Sequence, residues 1–96
     1  MANFLKQHIW PARHFGLGMQ KSIHTNRQER LRALLKAARK KAGLTQDQLA
    51  ERMGAYKTFV SKYERGERQL DVIEFIAVAE ALKLDPKALI DQVMWD

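Results

Sequence analysis

The chain has 96 residues, with 17 Lys and Arg against 11 Asp and Glu and a formal charge of +6. That length supplies one small domain with one core. It holds no cysteine, which rules out disulfides and Cys-based zinc sites and fits a reducing cytosol, and no apolar run approaches the ~18 residues that a membrane span needs.

Residues 1–26 read as a flexible basic N-terminal extension. They contain no Asp or Glu, and Gly16, Gly18 and Pro11 interrupt any helix. Phe4, Leu5, Ile9 and Trp10 make a short apolar face with no longer period behind it. The apolar core of a secretory signal is missing. A basic, acid-free start is also a trait of organellar transit peptides, against which stands the prokaryotic look of the rest. Translation starting at Met19 would make residues 1–18 an upstream extension, and an arm that touches DNA or a partner is the remaining reading.

Residues 27–96 read as the folded domain. RQERLRALLKAARKKA, residues 27–42, predicts the first helix. Leu31, Leu34, Leu35, Ala38 and Ala42 share one face, and Arg30, Arg32, Lys36, Lys40 and Lys41 share the other. Asn26 or Thr25 is placed to cap it and Gly43 to end it. Thr45 opens the second helix, with Gln48 three residues on to complete a capping box and Leu44 and Leu49 as the hydrophobic staple. Leu49, Ala50 and Met53 are its buried side. Gly54 supplies the positive φ of a tight turn.

The third helix is expected from about Tyr56 to Arg65. Val60 and Tyr63 point inward, with Ala55 or Tyr56 at its start; Lys57, Thr58, Ser61 and Lys62 point outward. Phe59 fits either side, with burial favoured over a contact to a thymine methyl. Gly66 can end the helix. The fourth helix starts at the cap Asp71, with Glu74 completing the box and Leu70 and Phe75 as staple. Ile73, Ile76, Ala79 (or Ala77) and Leu82 are expected inside, and Lys83 closes it. Asp85-Pro86 opens the fifth, whose apolar side is Leu84, Leu89, Ile90 and Val93. The expectation is an all-α, compact five-helix bundle without a sheet.

Charge divides along the chain. Residues 1–68 carry 15 Lys and Arg against 5 Asp and Glu, while residues 69–96 carry 2 against 6. A basic end suits a polyanion, because each neutralised phosphate releases counterions; a basic surface kept for solubility is the plain alternative. A catalytic set is not discernible. His8, His14 and His24 lie in the N-terminal extension without metal-ligand spacing, and Ser22 and Ser61 have no His placed to activate them. Asp71 and Glu74 are accounted for as a cap. No cofactor or metal is expected.

The pieces GLTQDQLAERMG, VSKYERGER and AEALKLDP, in that order and spacing, resemble the Xre-type helix-turn-helix family shared with the lambdoid phage repressors and Cro proteins. The matching run is residues 31–86. The resemblance implies a phage-repressor-like DNA-binding bundle whose third helix reads bases in the major groove. It implies that Gln46 contacts a DNA phosphate and braces Lys57, and that Lys57, Thr58 and Lys62 read bases, with Ser61 beside them on a base or phosphate. It also implies a structural ion pair between Arg39 and Glu64. Tyr56 departs from the family's small polar cap, though its hydroxyl can reach a phosphate, and Phe59 departs from a small polar residue. Arg65 and Arg68 are read as phosphate contacts or as solvated.

The expected function is sequence-specific binding of double-stranded DNA at a palindromic operator by a cytoplasmic, nucleoid-associated prokaryotic repressor. Ninety-six residues leave no room for a ligand-sensing domain. A homodimer through Ile90, Val93, Met94 and Trp95 would give the twofold symmetry. The alternatives are an antitoxin with a toxin partner, which autoregulates its operon, and a protein-interaction module without base readout.

Overall fold

The computed structural model describes residues 26–94. Five α-helices and no strands occur among them: α1 Asn26–Lys41, α2 Gln46–Met53, α3 Phe59–Glu64, α4 Val72–Ala81 and α5 Pro86–Met94. Residues 1–25 of the expected 1–26 extension, Thr25 among them, and Trp95 lie outside the described residues. Asn26 is the first helical residue of α1.

Local chemistry sets most boundaries. At α2, the Gln48 N–H donates to Thr45 Oγ1 at 3.0 Å and the Thr45 N–H to Gln48 Oε1 at 2.8 Å. At α4 the same reciprocal pair joins Asp71 and Glu74, at 2.7 and 2.9 Å. Each pair satisfies two backbone donors that a helix start leaves open. At α5 the Lys87 N–H donates to Asp85 Oδ1 at 2.9 Å. Gly54, at φ 68°, ends α2 in the left-handed region.

The core joins Leu35 of α1, Leu49 and Ala50 of α2, and Phe59, Val60 and Tyr63 of α3 to Phe75, Val78 and Ala79 of α4, with Leu82 and Leu89. Helix α1 packs on α3 and α5, α2 on α3 and α4, and α4 on α5. Burying apolar area at roughly 25 cal/mol per Å² is what holds helices this short in place.

Four sequence expectations need correction. Ala42 is exposed, one residue past the end of α1 at Lys41. Ile73 is 74% exposed: the inward stripe is Phe75, Val78, Ala79 and Leu82, and Ile73 precedes Phe75 by about 200° around the helix. On α5 Leu89 alone is buried and Ile90 is exposed, and Leu84, ahead of that helix, is exposed as well. Finally, α3 begins at Phe59, not near Tyr56. Tyr56, Lys57 and Thr58 form a turn, closed by the Phe59 N–H on the Tyr56 carbonyl at 3.0 Å.

Candidate nucleic-acid interface

The Gly54 turn and the short α3 present one continuous outer surface. Thr58 occupies the cap position of α3, but its hydroxyl makes no capping hydrogen bond. The helix is instead anchored from behind, with Phe59 4% exposed and Val60 and Tyr63 buried. That anchoring leaves Lys57, Thr58 and Lys62 exposed and Ser61 half-buried between them.

The exposed groups differ in how tightly they are held. Lys57 Nζ lies 3.8 Å from Asp47 Oδ2, and both side chains are well exposed, so the pair is weak and screened. The Ser61 hydroxyl donates to the Thr58 carbonyl at 3.1 Å. Tyr56 stands half outside the fold, its ring edge-on to Phe59 at 5.7 Å. Lys62 Nζ sits 5.9 Å from the Tyr56 ring centroid. Tyr56, Lys57, Thr58 and Lys62 therefore share one surface.

Two of the other expected site residues are engaged with side chains of the protein itself. Gln46 does not brace Lys57; its Nε2 donates to Glu64 Oε1 at 2.9 Å. Glu64 also accepts from Arg39, as the resemblance implied, at 2.8 Å from Nε and 3.0 Å from Nη2. The Arg39 Nη1 donates to the Leu44 carbonyl at 2.8 Å, so the guanidinium ties α1 to both α3 and the turn before α2. Arg65 pairs with Glu67 at 2.8 and 3.0 Å on the open surface. The Arg65 guanidinium draws the Glu67 carboxyl below the usual carboxylate range.

Arg68, read from the sequence as a phosphate contact or as solvated, is half-buried and paired within the protein. It holds Glu74 through two hydrogen bonds, at 2.8 and 2.6 Å. Its guanidinium carbon lies 4.8 Å from the Phe59 ring centroid. The Glu74 carboxyl is held below its usual range, first by Arg68 and then by the Asp71 backbone N–H. An Arg six residues before a capping Glu was visible in the sequence, but the ring that fixes it was not assigned to that side. Phe59 itself follows the favoured reading and is core.

No group of three His, Asp or Glu placed to share a metal ion occurs among the described residues. No helix among them is long and apolar enough to cross a membrane.

Comparison with known proteins agrees with this geometry. A helix-turn-helix family model matches residues 35–89. Among solved structures, the chain is similar to an XRE-family like protein from Pseudomonas syringae pv. tomato str. DC3000, at 45% sequence identity and a TM-score of 0.71. The match covers 79% of this chain and 93% of that one. No curated protein matches.

Proposed function

The chain belongs to the XRE family of helix-turn-helix DNA-binding regulators, and from that premise we propose that it is a sequence-specific repressor that acts by occupying a promoter. The observation that carries this reading is the surface at α3. Lys57, Thr58 and Lys62 stand exposed together while Phe59, Val60 and Tyr63 fix the opposite side of the helix.

In this reading α3 enters the major groove. Lys57 and Lys62 donate to guanine O6 and N7, and Thr58 bonds a base edge or packs on a thymine methyl. Ser61 contributes a base or phosphate contact. The Tyr56 hydroxyl, Arg65 and the N-terminal turn of α2 at Gln46 bind the backbone on either side, which fixes register without reading sequence. Arg65 and Gln46 exchange their internal partners for phosphate oxygens on binding.

Two copies bind a palindromic site in the cytoplasm, with half-sites about one helical turn (~34 Å) apart. Ile90 and Met94 are exposed on α5, and Val93 is half-buried beside them. Together with Trp95 they form the dimer contact in this proposal.

Selection of bound duplexes from a random pool tests binding, symmetry and spacing at once. A palindromic motif with one-turn spacing is the expected result. Recovery of no motif, together with a shallow dependence of affinity on salt, would overturn sequence-specific binding.

A further inference from the structure

Helix α3 has six residues and no side-chain cap at its start. A helix of that length is not stable alone, so contacts from elsewhere must fix the turn that carries Lys57 and Thr58. A continuous path of such contacts runs from α4. The Glu74 carboxylate is anchored by the Asp71 N–H at 2.9 Å. It holds both terminal nitrogens of Arg68, one of which also donates to the Gln69 carbonyl at 2.9 Å. The Arg68 guanidinium covers the Phe59 ring, and Tyr56 meets the same ring edge-on.

We propose that Arg68, which lies outside the reading helix, is a positioning residue for base readout: it clamps the start of α3 to the capped start of α4. The inference rests on sequence-specific DNA binding as proposed above. Its geometry suits a clamp better than a phosphate contact. The side chain is only 32% exposed, and its planar fork is spent on a bidentate carboxylate, an arrangement Lys cannot reproduce.

The test compares Arg68→Ala, Arg68→Lys and Glu74→Gln with the parent chain. Glu74→Gln keeps an acceptor for the Asp71 N–H, so the α4 cap survives while the ion pair is lost. Each variant is measured against the selected duplex and a random duplex, over a range of salt, with its thermal midpoint alongside. Arg68→Ala and Glu74→Gln should both lower the ratio of selected to random affinity by about three- to tenfold. The loss should concentrate at the base positions that Lys57→Ala and Thr58→Ala also relax. Arg68→Lys should not restore it, and the salt slope should stay as in the parent.

Three results would overturn the role. Arg68→Ala could weaken both duplexes alike and reduce the salt slope by ~0.9, which marks a phosphate contact. Glu74→Gln could release Arg68 and strengthen both duplexes alike. The ratio could also stay at the parent value in all three variants while only the thermal midpoint falls, which marks a structural pair. A parent chain that selects no motif would instead overturn sequence-specific binding itself, and this role with it.

Discussion

Arg39 and Glu64 join α1 to α3 by two hydrogen bonds of 2.8 and 3.0 Å, and the Glu64 side chain is 2% exposed. A carboxylate at that depth is tolerated only because its oxygens are occupied. Arg39→Ala leaves it with the single Gln46 donor, at an expected cost of ~3–5 kcal/mol. That is a large share of the ~5–15 kcal/mol available to a domain of ordinary stability. Urea unfolding reads the loss directly. A loss under ~1 kcal/mol would mean that water reaches the pair in solution. Replacing both partners together by apolar side chains, Arg39→Met with Glu64→Leu, should recover most of it.

Lys57→Ala and Lys62→Ala should each weaken binding to the selected duplex by ~1–3 kcal/mol and relax the motif at one position. Lys57 has the weak Asp47 pair to break and Lys62 has no acidic partner within ion-pair distance among the described residues. The two losses should add, since each cation addresses its own base edge. Titration of labelled duplex at fixed salt measures both. Identical affinity for parent and both variants would remove α3 as the reader.

The caps at Thr45 and Asp71 were legible in the sequence because both capping partners sit three residues apart, inside one turn. Gly54 was legible for the same reason: a left-handed turn is a local demand. The start of α3 was not: Thr58 is of a helix-capping type, but its hydroxyl makes no capping bond, and the boundary is set by where Phe59 finds the core. Ile73 was misplaced because VIEFIAVAEAL is apolar at nearly every position, and such a run offers more than one stripe until Phe75 is fixed. The Arg39–Glu64 pair came from family resemblance and not from spacing. Gln46 and Arg68 depended on partners 18 and 6 residues away, a distance at which the side-chain geometry of a folded chain decides.

Acid should loosen the α4 cap. The Glu74 carboxyl is held below its ordinary value of 4.5 by Arg68. Its contribution is therefore complete above 4.5 and is lost as pH falls through the lower folded value. Arg68 stays protonated throughout, so the carboxylate alone sets the window. Thermal midpoints taken from pH 6 downward (on the order of half-unit steps) should fall more steeply for the parent than for Glu74→Gln below 4.5. Parallel curves would show that Glu74 titrates normally.

Tyr63 carries a hydroxyl that is buried without a hydrogen-bond partner. Burial, followed by the Glu64 charge, pushes its ionisation well above the ordinary 10.0, so it is neutral at any physiological pH. An unmade buried hydrogen bond costs ~1–3 kcal/mol. Tyr63→Phe removes the polar atom and keeps the ring, including its 5.6 Å edge-on contact with Phe59. Stability should be unchanged or raised by up to ~1 kcal/mol. Denaturant unfolding decides, and a loss beyond ~1 kcal/mol would mean that the hydroxyl has a partner in solution.

Gly54 and Lys83 end α2 and α4 in the same left-handed conformation, at φ 68° and 61°. One has no Cβ and the other does, so the two positions should respond in opposite directions. A Cβ at Gly54 would meet nothing within 4 Å, which leaves conformation as the whole effect of Gly54→Ala. That substitution should cost ~1–2 kcal/mol. At Lys83 the strain is already present, accepted because the following Leu84 N–H closes on the Ala79 carbonyl at 2.8 Å. Lys83→Gly should relieve it, less the extra entropy Gly has when unfolded, for a net gain of up to ~1 kcal/mol. The paired thermal midpoints test the shared cause: both variants moving downward would show that the Lys83 side chain holds α4 by contacts outweighing the backbone strain.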